Sequence, residues 1–264
     1  MAEWPFQTFG SPGRPVLVFL HGFLGSKESW EGVARLLADD FYCVLPDLPG
    51  HGENRCRLGR WPSLGRWASE LATLLERWGW NDVHLVGYSL GGRLALRFAV
   101  DFRSRVRTLT LESASPGLSK PSERRARRRL DRERGRELRI GNFDTFLDRW
   151  YRQALFGNLD ERERQQLIMA ARRGGGDQPE KMAQIIEALS PGREPSLWEC
   201  LPALELPVLL IGGGEDAAYR SILGRMADLL PQARLHLVDG AGHNVHAFFP
   251  QEVASILRAF LLGF

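Results

Sequence analysis

The chain has 264 residues, a net charge of +3, 44% hydrophobic and 25% charged residues, which is the composition of an ordinary globular protein. No apolar run nears the ~18 residues that cross a bilayer, and the first ten residues lack a charged start and hydrophobic middle, so neither a membrane span nor a signal peptide is expected. Cys43, Cys56 and Cys200 are odd in number and form no CxxC pair. They exclude a disulfide scaffold and a cysteine zinc site and point to a reducing, cytoplasmic setting.

In chain order, Val16–Leu20 reads as a buried strand, Ser29–Ala38 as a helix, and Tyr42–Pro46 as a second strand before the loop Asp47-Leu48-Pro49-Gly50-His51-Gly52. Residues Leu64, Trp67, Leu71, Leu74, Leu75 and Trp78 recur at helical spacing. Strand Val83–Val86, helix Arg93–Val100 and strand Val106–Leu111 follow. Alternating strands and helices imply a parallel sheet covered on both faces. From Pro116 to about Pro195 no strand signal stands out, only charged helical stretches broken at Gly174-Gly175-Gly176. Strand signals return at Pro207–Ile211 and Ala233–Val238, and the final helix, Gln251–Leu262, carries one apolar stripe. The expected organisation is an α/β core of residues 1–115 and 196–264, with a helical cap of residues 116–195 inserted between strands of one sheet.

Charge is distributed unevenly. Lys120–Arg139 holds ten Lys/Arg against four Asp/Glu, and the rest of the chain has 25 basic and 28 acidic residues. A nucleic-acid surface, a solvated basic helix and a lid for an anionic small molecule all fit that run. The absence of interleaved aromatics and of any nucleic-acid module argues against the first.

Gly87-Tyr88-Ser89-Leu90-Gly91-Gly92 follows one strand and opens a helix. In that setting GxSxG is a nucleophile elbow: glycines two residues either side let neighbouring backbone pass close, and the serine sits at a helix N-terminus. A serine needs a base and the base an orienting acid. His243, in Asp239-Gly240-Ala241-Gly242-His243, lies just beyond a strand. His84 and His236 fall inside strands. His246 stands three residues on, but in a loop with no evident third ligand, so no metal is expected. For the acid, Glu215 and Asp216 both follow Gly212-Gly213-Gly214. The order Ser89, Asp216, His243 is the order of an α/β-hydrolase triad. The oxyanion donors would be the backbone N–H groups of Phe23 and Leu90.

His21-Gly22-Phe23-Leu24-Gly25, the Asp47–Gly52 loop and the elbow resemble the α/β-hydrolase fold. Gly87–Arg93, Ser115-Pro116-Gly117-Leu118 before the arginine-rich helix, Phe146–Tyr151, Pro195-Ser196-Leu197-Trp198 and Gly242–His246 narrow this. They are similar to the 2-succinyl-6-hydroxy-2,4-cyclohexadiene-1-carboxylate synthases of menaquinone and phylloquinone biosynthesis. The resemblance runs nearly end to end. It implies the triad Ser89, Asp216 and His243, and a substrate pocket lined by Tyr88, Arg93, Arg127 and Trp150. A further cap arginine is implied at Arg173, or at Arg172 beside it. It also implies a lyase that removes a proton α to a carbonyl and expels pyruvate from an enolpyruvyl ether, with no cofactor. Two departures are Glu112-Ser113-Ala114-Ser115 before Pro-Gly-Leu and Ala217-Ala218 after the acid.

A substrate with several carboxylates requires several arginines, since charge-assisted pairs are about twice as strong as neutral hydrogen bonds. Arg93, one turn beyond Ser89 on the same face, suits that need. The other arginines of the basic run, including Arg132, Arg134 and Arg136, are expected at the surface, and Tyr151 and Trp198 are expected to pack the cap. No nucleic acid and no obligate protein partner is implied. A serine carboxylesterase or C–C hydrolase is the rival enzyme. A non-catalytic ligand-binding protein is the other alternative, and the intact Ser/His/Asp set argues against it.

Overall fold

A computed structural model describes residues 3–59, 62–175 and 178–264; Met1 and Gly176 lie outside them. The elements are β1 (Phe6–Phe9), β2 (Val16–Leu20), α1 (Glu31–Leu37), β3 (Tyr42–Pro46), α2 (Leu64–Arg77), β4 (Val83–Tyr88), α3 (Leu90–Asp101) and β5 (Val106–Glu112). Four helices follow: α4 (Pro121–Ile140), α5 (Phe143–Tyr151), α6 (Glu161–Gly175) and α7 (Pro179–Ala188). The chain then returns through β6 (Val208–Gly213), α8 (Ala217–Leu229), β7 (Ala233–Val238), α9 (Val245–Phe248) and α10 (Pro250–Leu261).

The seven strands form one sheet in the order β1-β3-β2-β4-β5-β6-β7. All neighbours are parallel except β1, which pairs antiparallel with β3. Strand β1 is absent from the sequence reading. Its four residues, Phe-Gln-Thr-Phe, are half-exposed at an edge and gain their identity only by pairing with Cys43–Pro46, a non-local contact that pattern cannot reveal. Strands β2, β3 and β6 are near-continuous apolar runs, as expected of strands buried on both faces, whereas β4 and β5 bring in His84 and Thr108, which pair with each other at 2.9 Å.

Two clusters cover the sheet. Trp67, Leu71, Leu94 and Phe98 from α2 and α3 belong to one. Trp30, Leu37, Leu257 and Phe260, from the residues preceding α1 and from α1 and α10, belong to the other. The helix α2 begins where Ser63 accepts a hydrogen bond from the Arg66 amide (3.2 Å), a side-chain N-cap that satisfies an otherwise orphaned donor. Among the described residues no helix is long and apolar enough to cross a membrane. Cys43, Cys56 and Cys200 are free thiols, and burial pushes the Cys43 thiol up to about 12.

Between β5 and β6 the described residues form helices joined by loops and no strand. The helix α6 includes Gly174 and ends at Gly175, and the next helix, α7, begins at Pro179. Glycine is needed because a Cβ on Gly174 would overlap the carbonyl oxygens of Leu24 and Gly25, and the Gly174 carbonyl accepts from the Gly52 amide (2.7 Å). The glycine run therefore lets the end of α6 seat directly on two strand-end loops.

The arginines of α4 are less solvated than their density suggests. Arg124 donates to the carbonyls of Leu118, Arg193 and Glu194, and Arg128 to that of Gly192. Arg139 pairs with Glu180 and Glu187 of α7. These arginines staple α4 to the chain around α7, and apart from Leu118, six residues from Arg124, their partners lie more than 40 residues away, out of reach of local pattern.

Candidate active site

The site is assembled at the C-terminal ends of β2, β4, β5, β6 and β7, where an open α/β sheet presents its loops. Ser89 ends β4 with φ 49° and ψ −107°, a left-handed conformation that costs of order 1–3 kcal/mol for a side-chain-bearing residue. Close packing enforces it: a Cβ on Gly87 would overlap the Gly91 carbonyl, and one on Gly91 would overlap the carbonyls of Leu20 and His21.

His243 Nε2 lies 3.3 Å from Ser89 Oγ, and its Nδ1 lies 2.8 Å from Asp216 Oδ2. Asp216 also accepts the Tyr219 amide (3.1 Å), capping α8. Glu215 is exposed, whereas Asp216 is buried and is the one that meets the imidazole. With Nδ1–H donated to the carboxylate, Nε2 is left as the acceptor facing the serine hydroxyl.

Two cavities open onto Ser89. One, of about 330 Å³, includes Tyr88, Ser89, His243, His246 and Arg173 in its lining. The other, of about 240 Å³, includes Arg93, Arg127, Asp131, Arg134 and Tyr219. Ser89, Phe23, Trp150 and Leu155 line both. Phe23 and Leu90 line the second cavity together with Ser89.

Arg93 is buried. Its Nη1 donates to the Leu189 carbonyl (2.8 Å), while Nη2 has no hydrogen-bond partner among the described residues. Burial pulls this guanidinium down to about 10, so it remains a cation at neutral pH. Tyr88 is buried too, and its phenol is pushed well above its ordinary value by burial and then by Glu112. Arg127 pairs with Asp131 (2.8 Å). Arg173 lines the first cavity, whereas Arg172 turns away to Asp144 (2.8 Å).

Arg134 corrects a surface expectation. Its side chain is 18% exposed, pairs with Asp131 (3.3 Å) and donates to Gln153, and its guanidinium lies 5.0 Å over the Trp150 ring. The spacing Arg127, Asp131, Arg134 places all three on one helix face, a signal available in the sequence. Arg132 and Arg136 are exposed. Tyr151 is not only packing, since it also lines the first cavity. Trp198 lies outside both cavities and donates to the Gly117 carbonyl (3.0 Å).

His246 is held by Glu112. One carboxylate oxygen accepts His246 Nδ1 (2.7 Å) and the amides of Val245 and His246 (2.9 and 3.2 Å). The imidazole stacks on Trp30 at 3.8 Å. The sequence reading met Glu112 only as a departure from pattern.

Residues 17–256 match the model of the alpha/beta hydrolase family. A 2-succinyl-6-hydroxy-2,4-cyclohexadiene-1-carboxylate synthase of Yersinia pseudotuberculosis is 34% identical over 263 residues, covering 99% of this chain and 92% of the relative. The chain belongs to the 2-succinyl-6-hydroxy-2,4-cyclohexadiene-1-carboxylate synthase family, within the α/β hydrolases. The solved structure of MenH from S. aureus superposes with a TM-score of 0.91 at 28% identity, covering 100% of this chain and 99% of that one. A thermophilic esterase from Thermogutta terrifontis superposes at 0.80 with 28% identity, covering 98% and 93%. The likeness to the synthases covers helices α4–α7 and the sheet alike, and the chain is an enzyme of the α/β-hydrolase superfamily.

Proposed function

We propose that the chain is a carbon–oxygen lyase. It eliminates pyruvate from 2-succinyl-5-enolpyruvyl-6-hydroxy-3-cyclohexene-1-carboxylate to give 2-succinyl-6-hydroxy-2,4-cyclohexadiene-1-carboxylate. The observation that carries this reading is the juncture at Ser89: a hydroxyl in hydrogen-bond reach of His243 that also borders a cavity lined by three arginines. The near full-length likeness to a synthase of that name supports the substrate.

Ser89 Oγ takes the proton α to the carbonyl as its own proton passes to His243 Nε2, and Asp216 holds the imidazole tautomer that can accept it. Electrons from the broken C2–H bond form a C2–C3 double bond, the ring C3–C4 double bond shifts to C4–C5, and the C5–O bond to the enolpyruvyl group breaks with its electron pair. The departing enolate takes up a proton and becomes pyruvate. Arg93, Arg127 and Arg173 bind substrate carboxylates, with Tyr88 and Trp150 shaping the pocket, and the Phe23 and Leu90 amides face the charge that develops on the carbonyl oxygen. No cofactor is required. The chemistry fits a cytoplasmic enzyme acting on an anionic small molecule, with residues 116–195 as its cap.

Incubation of the protein with the enolpyruvyl substrate should yield pyruvate and the ring diene in equal amounts, read by a coupled dehydrogenase and by absorbance. The esterase likeness makes ester hydrolysis the competing reading. Turnover of p-nitrophenyl acetate far above pyruvate release would favour it.

A further inference from the structure

The smaller cavity carries an unbalanced charge. Three guanidiniums, Arg93, Arg127 and Arg134, line it with one carboxylate, Asp131, a surplus of two positive charges in the lining, which the buried Glu194 outside it offsets in part at Arg93. Asp131 is 1% exposed at its side chain, and each of its oxygens is already held: Oδ2 by Arg127 Nε at 2.8 Å, Oδ1 by Arg134 Nη1 at 3.3 Å. It cannot also neutralise Arg93, whose buried Nη2 stands without a partner among the described residues. Leaving desolvated cations unpaired is costly, so the lobe suits a ligand bearing two negative charges. Each guanidinium is a planar fork that matches a carboxylate face to face.

Arg134 is the member of this set whose place was not expected. Three groups fix its head: Asp131 from its own helix, the Gln153 side chain beyond α5, and the Trp150 ring. A solvated helix arginine has no such constraint. Burial and then the neighbouring Arg127 both act against its charge, an arrangement that an anionic ligand in the lobe relieves. Trp150 borders both cavities and so places Arg134 next to the partition at Ser89.

We propose that Arg134 is a specificity-determining residue that binds a carboxylate of the ligand in this lobe, with Asp131 and Trp150 as its positioning residues. The inference rests on the reading of the site as a multi-carboxylate pocket and adds the group that completes its charge. The alternative role is structural: Arg134 as a clamp between α4 and the end of α5. A clamp affects the unfolding midpoint; a ligand-binding arginine affects KM and anion affinity.

The test pairs pyruvate-release kinetics with calorimetric titration of succinate, a plain dicarboxylate, on Arg134→Met, Arg134→Lys and the exposed control Arg132→Met. Arg134→Met should raise KM and weaken succinate binding by about tenfold to a hundredfold, the size of a lost charge-assisted bond, with kcat within about threefold of the unmodified protein. Arg134→Lys should recover part of the loss, and Arg132→Met should change neither. Wild-type KM and succinate affinity in Arg134→Met overturn the proposal, as does an unmodified protein that binds no succinate. Should Arg134→Met fail to fold, Arg134→Lys decides: weaker succinate binding at an unchanged unfolding midpoint supports the assignment, and wild-type binding overturns it. If the unmodified protein released no pyruvate, the lyase reading would fall, while the succinate titration would still decide the role of Arg134.

Discussion

At the strand ends, position is set by backbone: Ser89 is held at φ 49° because its glycine neighbours admit no side chain, and His243 and Asp216 follow from loops that close β7 and β6. Along α4, backbone says little. Arg124, Arg127, Arg134 and Arg139 share one helix, yet one is stapled to carbonyls, two line a cavity and one pairs with α7. All six histidines fall outside residues 116–195, and the densest run of positive charge, Lys120–Arg139, falls inside them. Chemistry carried by backbone geometry is written locally; the role of a charge depends on which element lies opposite it.

The largest effect should come from the sheet side. His243→Ala should lower kcat for pyruvate release by at least about 10²–10⁴-fold, the usual contribution of a positioned base, while far-ultraviolet circular dichroism and the unfolding midpoint stay near wild type. A kcat within tenfold of wild type would move the proton transfer to another group and erase the contrast between the two regions.

How far the sequence could be read follows the same division. The elbow, the triad order and the five inner strands that alternate with helices were legible because each depends on neighbours within a few residues. The edge strand β1 was not, because it exists only through its partner β3. Arg134 was missed although Asp131 stood three residues away, since a salt-bridged pair on a helix reads the same whether it faces solvent or a cavity. Glu112 and its hold on Val245 and His246 joins residues 133 positions or more apart, and nothing in either segment announces the other.

On the cap side, Arg127→Ala should lower kcat/KM by about 2–4 kcal/mol of transition-state binding, seen chiefly in KM. Arg93→Ala, which reaches into the same cavity from α3, should match it. Steady-state kinetics at two salt concentrations separates this from a steering field: equal, mild and salt-sensitive losses at every arginine of α4 would mean that none of them binds substrate.

Acid should destabilise the fold through histidines buried in the sheet and its loops. Burial keeps His21, His51 and His84 below their ordinary value of 6.5, His84 at about 4. In an unfolded chain these imidazoles take up protons below ~6.5, and in the folded chain they do not. Their contribution is therefore fully present above that pH and is lost as pH falls toward 4, at up to about 1.4 kcal/mol per pH unit for each histidine. Urea unfolding across this range should show the slope, and His84→Gln should remove up to one proton of it. An unchanged slope in that variant would contradict the assignment of His84 as a neutral buried group.

The smallest effect expected is at the staples. Arg124→Met removes three bonds to carbonyls and should cost about 1–2 kcal/mol of stability, with KM close to wild type. A large rise in KM without loss of stability would place Arg124 among the ligand-binding arginines.

The most direct measurement is single-turnover pyruvate release from the enolpyruvyl substrate by the unmodified protein and by Ser89→Ala, with p-nitrophenyl acetate hydrolysis followed in parallel. Prompt pyruvate release by the unmodified protein, reduced by orders of magnitude in Ser89→Ala and exceeding ester turnover, is the predicted result. Pyruvate release by Ser89→Ala at a rate near wild type, or rapid ester hydrolysis with no pyruvate formed, would contradict it.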